Sequence, residues 1–177
     1  MVSIELLVST TGIRSSIEDV IDSAQKFIIL VSPYWSFKKY YENVGLDILV
    51  SKLKAKIDKG IPVICVWRND FVIEDVCSRN SKYEKILRGL GYNVDNAPSN
   101  LYIRYNQYLL HSKFYMNEND IVISSMNLLE SSIKNYEIGV FIKDYSDSKS
   151  FTKEIYNHIR EVTSQCNLDK VLDKLLV

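Results

Sequence analysis

The chain is short of several residue types, and each shortage narrows what it can be. It has three cysteines, Cys65, Cys77 and Cys166. An odd number without metal-like spacing argues against a disulfide framework, and a reducing, cytoplasmic compartment is expected. Cys65 lies in the apolar run Pro62 to Trp67 and reads as a buried free thiol. The two histidines, His111 and His158, are too few for a multi-histidine metal centre. No metal and no cofactor is expected. No apolar run approaches the roughly 18 residues that a membrane span needs, and no membrane partner is expected. The N-terminus, MVSIELLVSTTG, has no basic region ahead of an apolar stretch, so no secretory signal is expected. Charge of one sign is also missing, because 22 basic and 22 acidic residues cancel. A strong duplex binder usually carries a basic excess. Any nucleic-acid contact must then come from a small basic cleft. Internal repeats, low-complexity tracts and linkers are absent, and 177 residues fit one domain, 1–177.

What is present is a chain of alternating strand and helix signals. Val2 to Val8 reads as a strand, and Ser9 as a helix cap. Ile13, Ile17, Val20, Ile21 and Ala24 recur at helical spacing. Phe27 to Val31 is a buried strand. Leu46, Leu49, Val50, Leu53 and Ile57 mark a second helix closed by Gly60, and Ile61 to Trp67 the next strand. Lys52, Lys54, Lys56 and Lys59 on that helix read as a solvated face. Arg68 to Asn80 is polar and irregular, either a lid or a short helix. Tyr83, Ile86, Leu87 and Leu90 mark a third helix, Tyr92 to Val94 a short strand, and Leu101 to Tyr105 another. Tyr136 to Ile142 is a further strand. Phe151, Ile155, Ile159 and Val162 lie on a long helix, with a short one after it. The spacing implies βαβ units in an α/β fold. The expected architecture is a mixed, largely parallel central sheet flanked by helices on both faces.

The chemistry concentrates in His111 to Gly139, HSKFYMNENDIVISSMNLLESSIKNYEIG. Two β-rich runs flank the polar turn Asn117-Glu118-Asn119-Asp120, which is a hairpin signature. Alternation along a strand sends His111 and Lys113 to one side and Ser112 and Phe114 to the other. Asn127 lies just past the neighbouring strand, and Glu137 lies in a third apolar segment. Such a set suits attack on a phosphate ester. Imidazole is the nucleophile, Lys and Asn donors neutralise the non-bridging oxygens, and a carboxylate holds the histidine tautomer. Ser125 either bonds the phosphate or shapes the turn. Arg104 is either a phosphate contact or part of an ion pair. The loop Ser32 to Tyr41 follows a strand end, where α/β sheets place ligand crevices. Its Lys38 and Lys39 among aromatics either bind substrate by stacking and phosphate contact or cover the core. His158, on the last long helix, reads as a surface residue.

H-x-K, an acidic turn, S-S-x-N and N-x-E-x-G together resemble the phospholipase D superfamily, the HKD-motif enzymes, and most of all its short single-motif nucleases. The likeness reaches more weakly upstream, to Ile28–Tyr34 and Lys59–Val63. Glu118 stands where the family has Asp, with Asp120 as its competitor, and Ser124 stands where Gly is usual. The resemblance implies a phospholipase D-like fold and a metal-independent phosphodiesterase working through a phosphohistidine. His111, Lys113, Asn127 and Glu137 would be catalytic; Ser125, Arg104, Lys38 and Lys39 would bind substrate. The family chemistry needs two H-x-K motifs, and this chain has one, which implies a homodimer. The substrate expected is nucleic acid, with a separate specificity protein as a further partner. The alternatives are phospholipid chemistry and a non-catalytic nucleic-acid-binding module.

Overall fold

A computed structural model of the chain describes residues 1–35, 46–68, 76–106, 110–128, 132, 135–163 and 169–175. In chain order the elements are β1 (Ser3–Leu7), α1 (Thr10–Ser23), β2 (Ile28–Val31), α2 (Leu46–Asp58), β3 (Val63–Arg68), α3 (Val76–Gly89), β4 (Leu101–Asn106), β5 (Phe114–Met116), β6 (Ile121–Ser124), β7 (Gly139–Lys143), a 3₁₀ turn (Tyr145–Asp147), α4 (Lys149–Thr163) and α5 (Asp169–Leu175).

The helices start and stop where local chemistry dictates. The Ser9 hydroxyl accepts from Gly12 N at 3.0 Å and caps α1. The buried residues Ile13, Ile17, Val20 and Ile21 form its inner stripe. Burial of each such side chain stabilises the fold by about 1.5–3 kcal/mol. Gly60, at φ +83°, closes α2 as Ile61 N bonds back to Lys56 O at 3.1 Å. The lysines of α2 are held locally. Lys52 pairs with Asp22 and Glu18, Lys54 with Asp58, and Lys56 donates to the carbonyls of Asp22 and Ala24.

The strands form one seven-stranded sheet in the order β1-β7-β6-β5-β2-β3-β4. Alternate residues feed two cores. Ile28, Leu30, Val63, Cys65 and Tyr115 pack with α1, α2 and α3 on one face. Ile29, Val31, Ile64, Val66, Phe114 and Met116 pack with α4 and α5 on the other. The mixed sheet with helices on both faces is as expected, and its directions divide in an informative way. β2–β3 and β3–β4 are parallel, whereas β1–β7, β7–β6, β6–β5 and β5–β2 are antiparallel. β1, β6, β2, β3 and β4 thus run one way, and β5 and β7 run back. The hairpin turn between β5 and β6 is too short for a crossover, so that pair is antiparallel by necessity.

Two element expectations change. Tyr92 to Val94 is not a strand: Asn93 Oδ1 accepts from Asp95 N and Asn96 N, and this side-chain turn displaces ladder bonding. In Arg68 to Asn80, α3 begins at Val76, and residues 69–75 lie outside the described residues. Cys65 is free and fully buried, and burial pushes its thiol pKa up.

Candidate active site

Because β5 is antiparallel to β2, with Val31 opposite Phe114, the start of β5 lies at the C-terminal end of β2. The end of β6 and the start of β7 share that edge, since Ser124 pairs with Gly139. All pieces of the motif therefore reach one edge of the sheet.

His111-Ser112-Lys113 immediately precedes β5, and Ser124 N donates to Lys113 O at 3.1 Å. His111 is exposed, whereas Lys113 is 7% exposed. Lys113 Nζ donates to His111 O at 2.7 Å and stands 3.4 Å from His111 Nδ1. The two side chains come together although both residues lie just before β5 rather than in it. Burial lowers the Lys113 pKa, and the charge of Glu137 opposes that shift. An ammonium stripped of water beside an exposed imidazole is an anion receptor next to a nucleophile.

Ser125 and Glu137 meet directly. The Ser125 hydroxyl donates to Glu137 Oε2 and accepts from Ile138 N at 3.0 Å, while Ser125 N donates to Ile138 O at 2.9 Å. Asn135 Nδ2 reaches Glu137 Oε1 at 3.4 Å. The hydrogen bonds of Glu137 thus go to Ser125 and Asn135 rather than to the His111 ring. Asn127 Oδ1 is buried and accepts no hydrogen bond among the described residues. Its loop is fixed from three sides. Tyr115 donates its hydroxyl proton to Met126 O at 2.7 Å, Leu128 N donates to Ser32 Oγ at 3.2 Å, and Trp35 Nε1 donates to Ser32 O at 2.8 Å. Gly139 permits the close approach: a Cβ there would lie 3.0 Å from both Ile123 O and Ser124 Cβ.

The acidic residues of the turn serve the scaffold. Glu118 accepts from Gln25 N at 2.8 Å and Lys26 N at 3.2 Å, at the entrance to β2. Asp120 accepts from the Ser23 hydroxyl and Asp144 N. Arg104 lies elsewhere. Through Val66 and Val31 it shares a cross-strand row with Phe114, three strands or about 14 Å away. It donates to Ile103 O at 2.9 Å and does not line the cleft described next. Lys38 and Lys39 lie outside the described residues.

A cleft of about 760 Å³ opens at His111 and Lys113. It reaches round the sheet edge, so Ser112 and Phe114 line it as well as Ser125, Leu6, Ile123 and Ile138. From α4 come Glu154 and His158, with the His158 ring 5.8 Å from that of Phe114. His158 is exposed, as expected for a surface residue, and it also faces the cleft. Its signal was there: helical spacing sets it beside Phe151, at the border of the apolar stripe. Among the described residues no three His, Cys, Asp or Glu side chains gather as metal ligands. No helix among them is long and apolar enough to cross a membrane.

Residues 17–160 match the family profile described as cardiolipin synthase, PLD-like domain. The fold is similar to that of NucT from Helicobacter pylori, with TM-score 0.63, 14% identity, and 94% of this chain and 98% of that one covered. It is similar also to Nuc from Salmonella typhimurium, a phospholipase D family member, with TM-score 0.62, 18% identity, and coverage of 94% and 97%. Phosphatidylserine synthase from Haemophilus influenzae matches with TM-score 0.59 and 18% identity, over 86% of this chain but 36% of that one. Comparison with curated proteins finds no match. With the profile spanning most of the chain and the motif gathered at one sheet edge, the chain belongs to the phospholipase D superfamily as a PLD-like domain.

Proposed function

We propose that the protein is a metal-independent phosphodiesterase that cleaves nucleic acid as a homodimer. The observation that carries this reading is the buried Lys113 ammonium held against the exposed His111. An imidazole nitrogen of His111 attacks phosphorus and the bond to the leaving oxygen breaks. Lys113 and the Asn127 amide meet the non-bridging oxygens. Glu137 offsets the Lys113 charge and fixes Ser125 at the mouth of the site. The leaving oxygen takes a proton from a second imidazolium. That imidazole then removes a proton from water, which attacks phosphorus and breaks the P–N bond.

The second imidazole is His111 of another copy. Support comes from a cross-strand apolar row, Leu6–Val140–Ile123–Phe114, that runs from the sheet edge to the H-x-K segment. Leu6 is 63% exposed, Ile123 46% and the neighbouring Ile138 57%. An apolar patch continuous with a polar site marks a surface that is covered in use. End-to-end coverage of the small proteins Nuc and NucT fits a self-contained domain.

The same apolar lining favours a second reading, phospholipid phosphodiester chemistry with an acyl chain in the cleft. It agrees with the match to the cardiolipin synthase profile. One experiment separates these. Labelled DNA, labelled RNA and anionic phospholipid vesicles are each incubated in excess EDTA with wild type and with His111→Ala. Oligonucleotide cleavage that survives EDTA and falls roughly a thousandfold or more in the variant is expected. Headgroup release from vesicles alone would replace the nuclease reading with the lipid one. Equal behaviour of wild type and variant on every substrate would leave a binding module.

A further inference from the structure

Helix α4 sorts its polar side by charge. Lys149, Lys153, Tyr156 and Arg160 recur in steps of three and four residues and share one edge. Glu154 and His158 occupy the other edge, where they line the His111 cleft. Ile155, Ile159 and Val162 lie between them, buried in the core. The basic edge forms a shallow recess of about 350 Å³ together with Thr152 and Asn157. Lys149 and Lys153 are exposed and have no carboxylate partner among the described residues, whereas Arg160 pairs with Asp173 at 3.6 Å. The whole chain is electrically neutral. This cationic edge is therefore a local concentration and not an overflow of a basic composition.

We infer that the outer edge of α4 is a second contact for the substrate, a track that seats the phosphate backbone of a single-stranded nucleic acid away from the scissile bond. Lys149 to Arg160 spans about 16 Å of helix, enough for several phosphates. The exposed Asn157 amide beside the cations offers hydrogen bonding to a strand. The track lies one helix width, about 10–12 Å, from the cleft. A strand with one phosphate at His111 can cross α4 and reach it within a short run of nucleotides. A membrane surface fits poorly, because the apolar residues of α4 point into the core and leave nothing beside the lysines to insert. This inference rests on the nucleic-acid reading of the His111 site for its substrate class.

The test is fluorescence anisotropy of a short labelled single-stranded DNA across a salt series. The protein carries His111→Ala to prevent turnover, with and without Lys149→Gln plus Lys153→Gln. Hydrolysis of bis(p-nitrophenyl) phosphate is measured in parallel with His111 intact. The double substitution is expected to weaken oligonucleotide binding severalfold and to reduce the salt slope by about 0.7 per lysine. Lys149→Arg plus Lys153→Arg should restore both, and hydrolysis of the small diester should not change. Unaltered affinity and slope would overturn the track, even if the small diester is hydrolysed. Loss of binding to anionic vesicles without loss on DNA would overturn it in favour of a membrane contact. If wild type leaves the small diester intact while DNA binding falls as expected, the phosphodiesterase reading fails and the track stands.

Discussion

At the scale of single residues, Lys113 carries a conflict between stability and chemistry. Its ammonium is buried, and burial lowers its pKa, with the Glu137 charge opposing. The unfolded chain therefore binds more protons at this group between the depressed folded value and the ordinary 10.5. Stability should rise with pH across that window, and the increment is missing below it. Lys113→Met should lose activity about a hundredfold or more, yet raise the melting temperature near neutral pH by roughly 2–4 °C. The stability gap between variant and wild type should close as pH rises through the window. Calorimetry over a pH series reads both effects. Gly139 makes the opposite case. A Cβ there meets the Ile123 carbonyl and Ser124 Cβ at 3.0 Å, so Gly139→Ala should cost about 1–3 kcal/mol in denaturant unfolding. At this scale the nearness of His111 and Lys113 was legible, because residues two apart in an extended segment project to the same side. The partners of Glu137 were less legible. Spacing brings that carboxylate to the right edge but does not reveal that Ser125 and Asn135 take its hydrogen bonds.

At the scale of elements, the β5–β6 turn is the fixed point. Asn117 is fully buried. Its amide nitrogen donates to Val20 O and Ser23 Oγ, both at 2.7 Å, and its oxygen accepts from Asn119 N and Asp120 N at 2.8 Å. Every hydrogen-bonding capacity of the side chain is used. Asn117→Ala should thus cost about 2–4 kcal/mol, whereas Asp120→Asn at the half-buried neighbour should cost about 1 kcal/mol or less. Chemical denaturation compares the two directly. The polar turn was legible, but Asn117 as its anchor was not. A turn asparagine and a core asparagine look alike until α1 is packed against them. Strand order was hidden for a similar reason. The pattern β1-α1-β2 reads as one βαβ unit, yet β7, β6 and β5 lie between its strands. Periodicity records which face a residue takes and carries no information about which strand lies beside it. Arg104, either a phosphate contact or part of an ion pair on the sequence, stands three strands from Phe114, because position along the chain does not fix a strand's place in the sheet.

At the scale of the whole molecule, the row Leu6–Val140–Ile123, exposed at Leu6 and Ile123, and the single H-x-K motif bear on the same question. If a second copy covers that row, Leu6→Asp plus Ile123→Asp should convert a dimer to a monomer in light scattering after size exclusion. Activity should fall with it although His111 and Lys113 are intact. A wild-type chain that is monomeric and fully active at low concentration would sink the dimer. The fold class was legible at this scale because alternation feeds two cores of helix and sheet. The apolar row was not, since Leu6, Ile123 and Val140 look like ordinary core residues when read along the chain.

The clamp on the turn has a bearing on the catalytic pair at the other end of the hairpin. β5 is only three residues long, from Phe114 to Met116. Sliding so short a strand by one residue would reverse every side chain it carries. His111 and Lys113, which lead directly into β5, would be displaced from the cleft with their chemistry intact. Asn117 and Glu118 lock the phase of the strand like a keyed shaft, and so the aim of the nucleophile is set at the end of the hairpin remote from it. Adding or deleting one residue between Met116 and Ile121 would spare every residue of the site and still silence it.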